Sequence, residues 1–340
     1  MKKILYITFF DPRNVSSGTE QRTYRLWNKL KDEGEVFTLV LAPQKTETKI
    51  IDEGNKIAYI GIVSTNFFVR LFHWAFMPAR IFGEKGRMEK SNPWKDVDFD
   101  LIVTRYLDSA AIINTWETPL FVDVDDVPSE AMRTIWSKRW PLFLRWFPQL
   151  IVKWWERKIL RKCSYAYVAN KNDEKYVSQF CKTEVFLNEP MPPREDYCVE
   201  GKQERALLSV GKMNYAPNVE GVKWFVKNVW GEVRKEFPDM VYRIVGGGLK
   251  GNEPFLSEEG VEYLGFVEDL DKEYEKALAV VVPIFSGAGT CIKVLEACSR
   301  KRKVFATPCA VRGLDKELIE ENEMSISATK DEMIEAIKAL

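Results

Sequence analysis

At 340 residues the chain is long enough for two domains of roughly 150 residues, each able to bury its own core. Its 50 basic and 50 acidic side chains leave no global field, so nucleic acid is not expected as a partner and any electrostatic function must be local. No apolar run approaches the roughly 20 residues needed to span a bilayer. Six cysteines without a Cys-x-x-Cys pair point to reduced thiols in a cytosolic chain, and with His73 as the single histidine no metal site is expected.

Lys2 and Lys3 precede a short apolar run, residues 4–10, which stops at Asp11 and Pro12 without a small-residue cleavage site. It reads as a first buried strand, not a signal peptide. Helical spacing over 19–33 and strand-like runs at 36–42, 101–104, 120–124 and 165–169 predict a parallel sheet with crossover helices. Pro190, Pro192 and Pro193 preclude a regular element, which sets a linker at 188–202 between a domain of residues 1–187 and one of residues 203–340. The alternation restarts at 206–210. Val219, Val222, Phe225, Val226, Val229, Trp230 and Val233 then share one face of a single helix, and strands follow at 241–245, 261–264, 280–284 and 303–306. Both halves therefore read as Rossmann-like α/β domains.

Phosphate chemistry is expected where strand 280–284 turns into a helix starting near Thr290. Gly287 and Gly289 let backbone approach a ligand, and a helix N-terminus offers unpaired N–H groups and a positive dipole end. Glu296, further along that helix, could accept both hydroxyls of a ribose; the alternative is a plain β–α turn with a surface glutamate. Gly211 and Lys212 end another strand, at the sheet edge where open α/β sheets bind ligands, so Lys212 would balance a diphosphate or stay solvated. In the first half, Gly18 and Thr19 close the loop between the first strand and first helix, a loop expected to face an interdomain cleft. Asp123, Asp125 and Asp126 follow the strand residues 120–122; crowded carboxylates raise one another's pKa and serve as a base or metal ligand, or else they are caps and solvated acids.

Two segments break the neutral balance. Residues 132–162 carry nine Lys or Arg against one acid, Glu156, among five tryptophans, and residues 67–87 are similar. This composition suits an anionic membrane surface, which would make the protein peripheral at the inner face of a membrane; the alternative is a pair of helices burying tryptophan against the sheet.

Taken together, the residues resemble the retaining family-4 glycosyltransferases of the GT-B fold over nearly the whole length. The match runs through Ser209-Val-Gly-Lys212, Tyr215-Ala-Pro-Asn218, Ile244-Val-Gly246-Gly-Gly, Leu264-Gly-Phe266-Val267 with Asp269, Gly287-Ala-Gly-Thr290 with Ile292-Lys293-Val-Leu-Glu296-Ala, and residues 307–313. The resemblance implies two Rossmann-like parallel-sheet domains facing each other across a cleft, the second holding the donor sugar nucleotide (a UDP- or GDP-sugar), the first a glycan or lipid-linked acceptor, with no further cofactor. It sets the base near the backbone of Phe266 and Val267, the ribose on Glu296, and the diphosphate near Lys212 and residues 287–290, with Lys293 either a diphosphate contact or a surface charge. Asp125 or Asp126 would orient or deprotonate the acceptor, Asp125 standing where many relatives carry a histidine. A second departure is Ala288, where the family often has the first of two glutamates eight positions apart. With the chain ending at Leu340, the family's long terminal helix is expected to be short.

Overall fold

The computed structural model describes residues 1–15, 17–43, 46–63, 91–113, 117–134, 141–144, 146–199, 203–287 and 289–340. His73, the 67–87 segment, residues 135–140 and 145 of the second aromatic-basic segment, and Ala288 lie outside them. The chain divides into two compact units, Met1–Asn188 and Glu189–Leu340.

In unit 1, β1 (Lys3–Thr8), β2 (Glu35–Pro43), β3 (Lys49–Asp52), β4 (Ile57–Val63), β5 (Leu101–Arg105), β6 (Leu120–Val124), β7 (Tyr165–Val168) and β8 (Lys182–Val185) form one sheet in the order β3-β4-β2-β1-β5-β6-β7-β8. All pairs are parallel except the edge pair β3–β4. The central strands read as unbroken apolar runs because both faces are covered. Leu5 and Ile7 join one core with Ile102, Val122 and Val168, while Ile4 and Tyr6 join the other with Leu26 and Leu30 of α1 (Gly18–Glu33). The β3–β4 hairpin has no counterpart among the expected elements. Its outer strand is only four residues long and partly exposed, whereas β4 is itself an apolar run that carries the strand signal. Four further helices lie among the described residues of the unit: α2 (Leu107–Ala111), α3 (Pro128–Thr134), α4 (Trp146–Leu160) and α5 (Lys171–Val177).

Unit 2 has six parallel strands, β9 (Ala206–Val210), β10 (Val241–Val245), β11 (Val261–Gly265), β12 (Ala279–Val282), β13 (Lys303–Ala306) and β14 (Ser325–Ile326), ordered β11-β10-β9-β12-β13-β14. The expected single helix is present as α6 (Ala216–Phe225), a π-helical segment Val226–Trp230 and α7 (Gly231–Glu236). Pro217 is the second residue of α6, in the first turn where a missing N–H costs nothing. Its apolar face, with Val222, Phe225, Val229 and Trp230, covers one side of the sheet. The other side is covered by α8 (Leu270–Lys276) and α9 (Ile292–Ser299) through Tyr274, Val294 and Ala297. Two more helices, α10 (Lys316–Glu321) and α11 (Lys330–Lys338), flank β14, and a Thr329–Glu332 capping box starts the second. Residues 189–199 contain no helix or strand and are held on unit 2. The Arg194 N–H donates to Asp271 at 2.7 Å and its guanidinium pairs with Asp269 and Glu275, while Tyr197 donates to the Arg300 carbonyl at 2.9 Å.

In each sheet the strand order reverses beside the first strand, at β1 between β2 and β5 and at β9 between β10 and β12. The carboxyl ends of strands at such reversals are where open α/β sheets bind ligands.

Candidate functional site

At the reversal in unit 2, the chain leaving β9 passes through Gly211, whose N–H donates to the Val245 carbonyl at 2.9 Å. A Cβ on Gly211 would stand 2.7 Å from Nδ2 of Asn218 and 3.2 Å from Cε of Lys293, so glycine is what lets those side chains close over the strand end. Asn218 is buried in the first turn of α6; it donates to the Lys212 carbonyl at 2.8 Å and accepts from Nζ of Lys293 at 3.0 Å. Lys293 of α9 is thus brought to the end of β9 by its bond to Asn218. Lys212 is exposed at the same strand end. Gly246, with φ 130°, lies against this loop, since a Cβ there would meet the Gly211 carbonyl oxygen at 1.9 Å.

On the β12 side, a Cβ on Gly221 of α6 would meet the Pro283 carbonyl oxygen at 2.0 Å, so the helix rests directly on the strand exit. Ser286 is buried, and Arg312 donates to the Gly287 carbonyl at 3.1 Å, bracing the glycine turn. Gly289 has φ 66°, a left-handed conformation that favours glycine. The following helix starts at Ile292 with Cys291 as its N-cap, two residues later than expected, so Thr290 belongs to the turn. Glu296 is buried in α9. Burial pushes the hydroxyl of Tyr274 in α8 well above its usual pKa, and the Glu296 charge adds to that push. Phe266 follows β11 with 74% of its surface exposed, an unusual setting for a large aromatic, while Val267 packs on the core. The arrangement gathers Lys212, Lys293 and Arg312 around glycine-lined strand exits, which suits a phosphate-bearing anion. Arg312 and Asn218 were not singled out as site residues from sequence. Arg312 falls within the 307–313 motif, but only its bond to Gly287 separates it from a surface arginine.

In unit 1 the carboxyl ends of β5 and β6 carry a charged network. Asp123 is fully buried between Arg22 of α1 and Arg105 of β5, and Arg22 also donates to Asn188 at 2.9 Å. Asp125 accepts from Arg105 at 2.8 Å and from Asn188 at 3.5 Å. Burial alone would push the Asp125 carboxyl up, but Arg105 and Arg22 outweigh it and hold it below the usual range. This corrects the expectation of mutually raised carboxylates: the pairing charges are guanidiniums, so Asp125 is a locked anion suited to orienting a hydroxyl. Asp126 is half-buried beside it. Gly18 is the first residue of α1, and Arg105 reaches the Thr19 carbonyl at 3.4 Å, tying that turn to the network. Tyr106 has φ 68°, a strained setting for a tyrosine; its hydroxyl lies 3.2 Å from Arg105 and 3.4 Å from Asp125. Gly18, Asp125 and Asp126 belong to unit 1, and the remaining predicted site residues to unit 2. Among the described residues no group of three or more His, Cys, Asp or Glu could hold a metal ion.

No curated protein matches the sequence. The family model described as glycosyl transferases group 1 matches residues 204–340. Among solved structures, sucrose-phosphate synthase from Thermosynechococcus elongatus aligns at TM-score 0.69 and 16% identity, covering 100% of this chain and 89% of that one. WaaG, a glycosyltransferase involved in lipopolysaccharide biosynthesis, aligns at TM-score 0.63 and 13% identity, covering 99% and 90%. Anabaena HepE in complex with UDP and glucose aligns at TM-score 0.57 and 12% identity, covering 100% and 89%. Residues 204–340 thus match the glycosyl transferases group 1 model, and the chain as a whole has the GT-B fold.

Proposed function

We propose that the protein is a retaining glycosyltransferase that moves a hexose from a UDP- or GDP-sugar to a hydroxyl acceptor. The observation that carries this reading is the convergence of Gly211, Asn218 and Lys293 at the strand reversal of unit 2. In this reading the base lies by Phe266 and Val267 and the ribose on Glu296. The diphosphate meets Lys212, Lys293 and the N–H groups of residues 287–290. As the anomeric C–O bond breaks, negative charge grows on the leaving diphosphate, and preoriented cations and N–H groups stabilise it without a metal. Asp125, with Asp126 beside it, orients the acceptor hydroxyl, whose proton passes to the departing diphosphate oxygen as the new glycosidic bond forms. The acceptor is a glycan or a lipid-linked saccharide in surface polysaccharide or glycoconjugate assembly, reached at the inner face of a membrane.

Thermal shift of the purified protein against UDP, GDP and their sugar conjugates tests the donor site, because a ligand that binds only the native state raises the melting temperature. One nucleotide class is expected to stabilise the protein, and Glu296→Ala to remove the effect together with transfer. Absence of a shift with every nucleotide would refute the donor assignment. Ala288 favours a second reading, a sugar-nucleotide-binding protein without transferase activity, and the same fold also suits a sugar-nucleotide epimerase. A shift without turnover would indicate the former, and loss of donor without any acceptor the latter.

A further inference from the structure

The second aromatic-basic segment holds one helix whose two faces behave oppositely. Pro148, Val152, Glu156, Ile159 and Leu160 of α4 are buried against unit 1, and Trp155 packs on the same core. Glu156 fixes this back face by accepting from the Ser129 N–H at 2.9 Å and the Ser129 hydroxyl at 3.2 Å. The opposite face is apolar as well. Trp146, Phe147, Leu150 and Trp154, with Phe143 in the short 3-10 turn Leu142–Leu144 just before the helix, are each between 44% and 75% exposed. At 3.6 residues per turn, positions 146, 150, 153, 154, 157 and 161 fall on one side of the helix axis. The exposed stripe therefore continues directly into Lys153, Arg157 and Arg161, with Lys158 beside it and its ammonium 5.2 Å over the Trp154 ring. Monomeric proteins rarely leave so many large apolar side chains together in water. Tryptophan rings and cations on one face match, respectively, the interfacial layer and the phosphates of an anionic bilayer.

We propose that the outward face of α4 is a membrane-docking surface: Trp146, Leu150 and Trp154 enter the interfacial layer, and Lys153, Arg157, Lys158 and Arg161 meet anionic lipid headgroups. Because α4 is fixed by its buried face, docking needs no refolding of unit 1. The surface lies outside the donor site and is tested without turnover, so its failure and the failure of the donor reading are separable.

The protein would be sedimented with phosphatidylcholine vesicles and with vesicles carrying about 30% phosphatidylglycerol, at low and high salt. The protein should pellet with the anionic vesicles, less so at high salt, and not with the neutral ones. Combined Trp146→Gln, Leu150→Gln and Trp154→Gln should weaken partitioning about tenfold or more, while Lys153→Gln, Arg157→Gln, Lys158→Gln and Arg161→Gln together should remove the preference for anionic lipid. Circular-dichroism melts check that each variant folds; if the triple variant does not, Trp154→Gln alone carries the same readout with a smaller loss. The proposal fails if the native protein ignores anionic vesicles, or if neither set of changes alters binding. It fails also if the apolar substitutions instead convert a concentration-dependent dimer to monomer without any vesicle binding, which would make the occupant a second copy of the chain.

Discussion

Glu156 is the only acid between Met132 and Lys162, and burial pushes its carboxyl above the usual value. A carboxyl raised in the folded state favours folding in its protonated form. That contribution is full below the unfolded pKa of about 4.3 and is lost as pH rises through the folded value. Glu156→Gln should therefore melt close to the native protein near pH ~4 and above it near pH ~7; an equal offset at both pH values in thermal melts would contradict this. Lys293 makes a second residue-level case. Held by Asn218 at the end of β9, it is placed for a diphosphate, and a charge-assisted contact is worth about 1.5–3 kcal/mol. Lys293→Ala should weaken nucleoside diphosphate binding by roughly tenfold or more while leaving the weak binding of the bare nucleoside unchanged, as read by calorimetric titration. Equal losses for both ligands would mean that Lys293 only shapes the site.

Among the elements, α6 and the β12 exit meet backbone to backbone at Gly221. Gly221→Ala would drive a methyl to 2.0 Å from the Pro283 carbonyl oxygen, and neither partner is a flexible side chain. A loss of about 1–3 kcal/mol in urea unfolding is expected, with weaker nucleotide binding because the 283–287 segment moves with it. A native midpoint would show that the helix can shift freely. The first helix is joined to its sheet differently, through Arg22 on Asp123, both with no side-chain exposure. Removing one partner of a buried pair strands the other, so Arg22→Met should cost about 3–5 kcal/mol in the same assay. Arg22 sits four and eight positions before Leu26 and Leu30, on the apolar stripe of α1. An arginine at a core position of an amphipathic helix was a legible signal for a buried acidic partner, and Arg105 at the end of the apolar strand β5 was another. The aspartates are legible as a crowded acidic cluster, but Arg22 and Arg105 neutralise them and so lower, rather than raise, the Asp125 carboxyl.

At the scale of the whole molecule, each unit has its own sheet with a core on either face, and no described helix is long and apolar enough to cross a membrane. Two compact units in one chain are expected to melt as two transitions. The proposed donor nucleotide should raise only the transition of Glu189–Leu340, which hydrogen exchange can assign to unit 2; protection gained first in unit 1 would move the nucleotide site there.

The periodicity of the chain determined the alternating α/β halves and the strand–glycine–helix turns, because apolar runs and glycines act through local geometry, which a linear sequence carries. It missed the β3–β4 hairpin, whose edge strand is only four residues long although β4 is itself an apolar run, and the π-helical segment at Val226–Trp230, whose apolar spacing does not differ from that of an α-helix. Only the tertiary structure decided which charges meet. Lys293 reaches Asn218 across 75 positions and Arg22 reaches Asp123 across 101, and no local rule joins residues so far apart until the sheet order brings their strand ends together. The same holds for α4: composition marked its tryptophans, but packing against unit 1 determined that Trp155 turns inward while Trp146 and Trp154 remain in solvent.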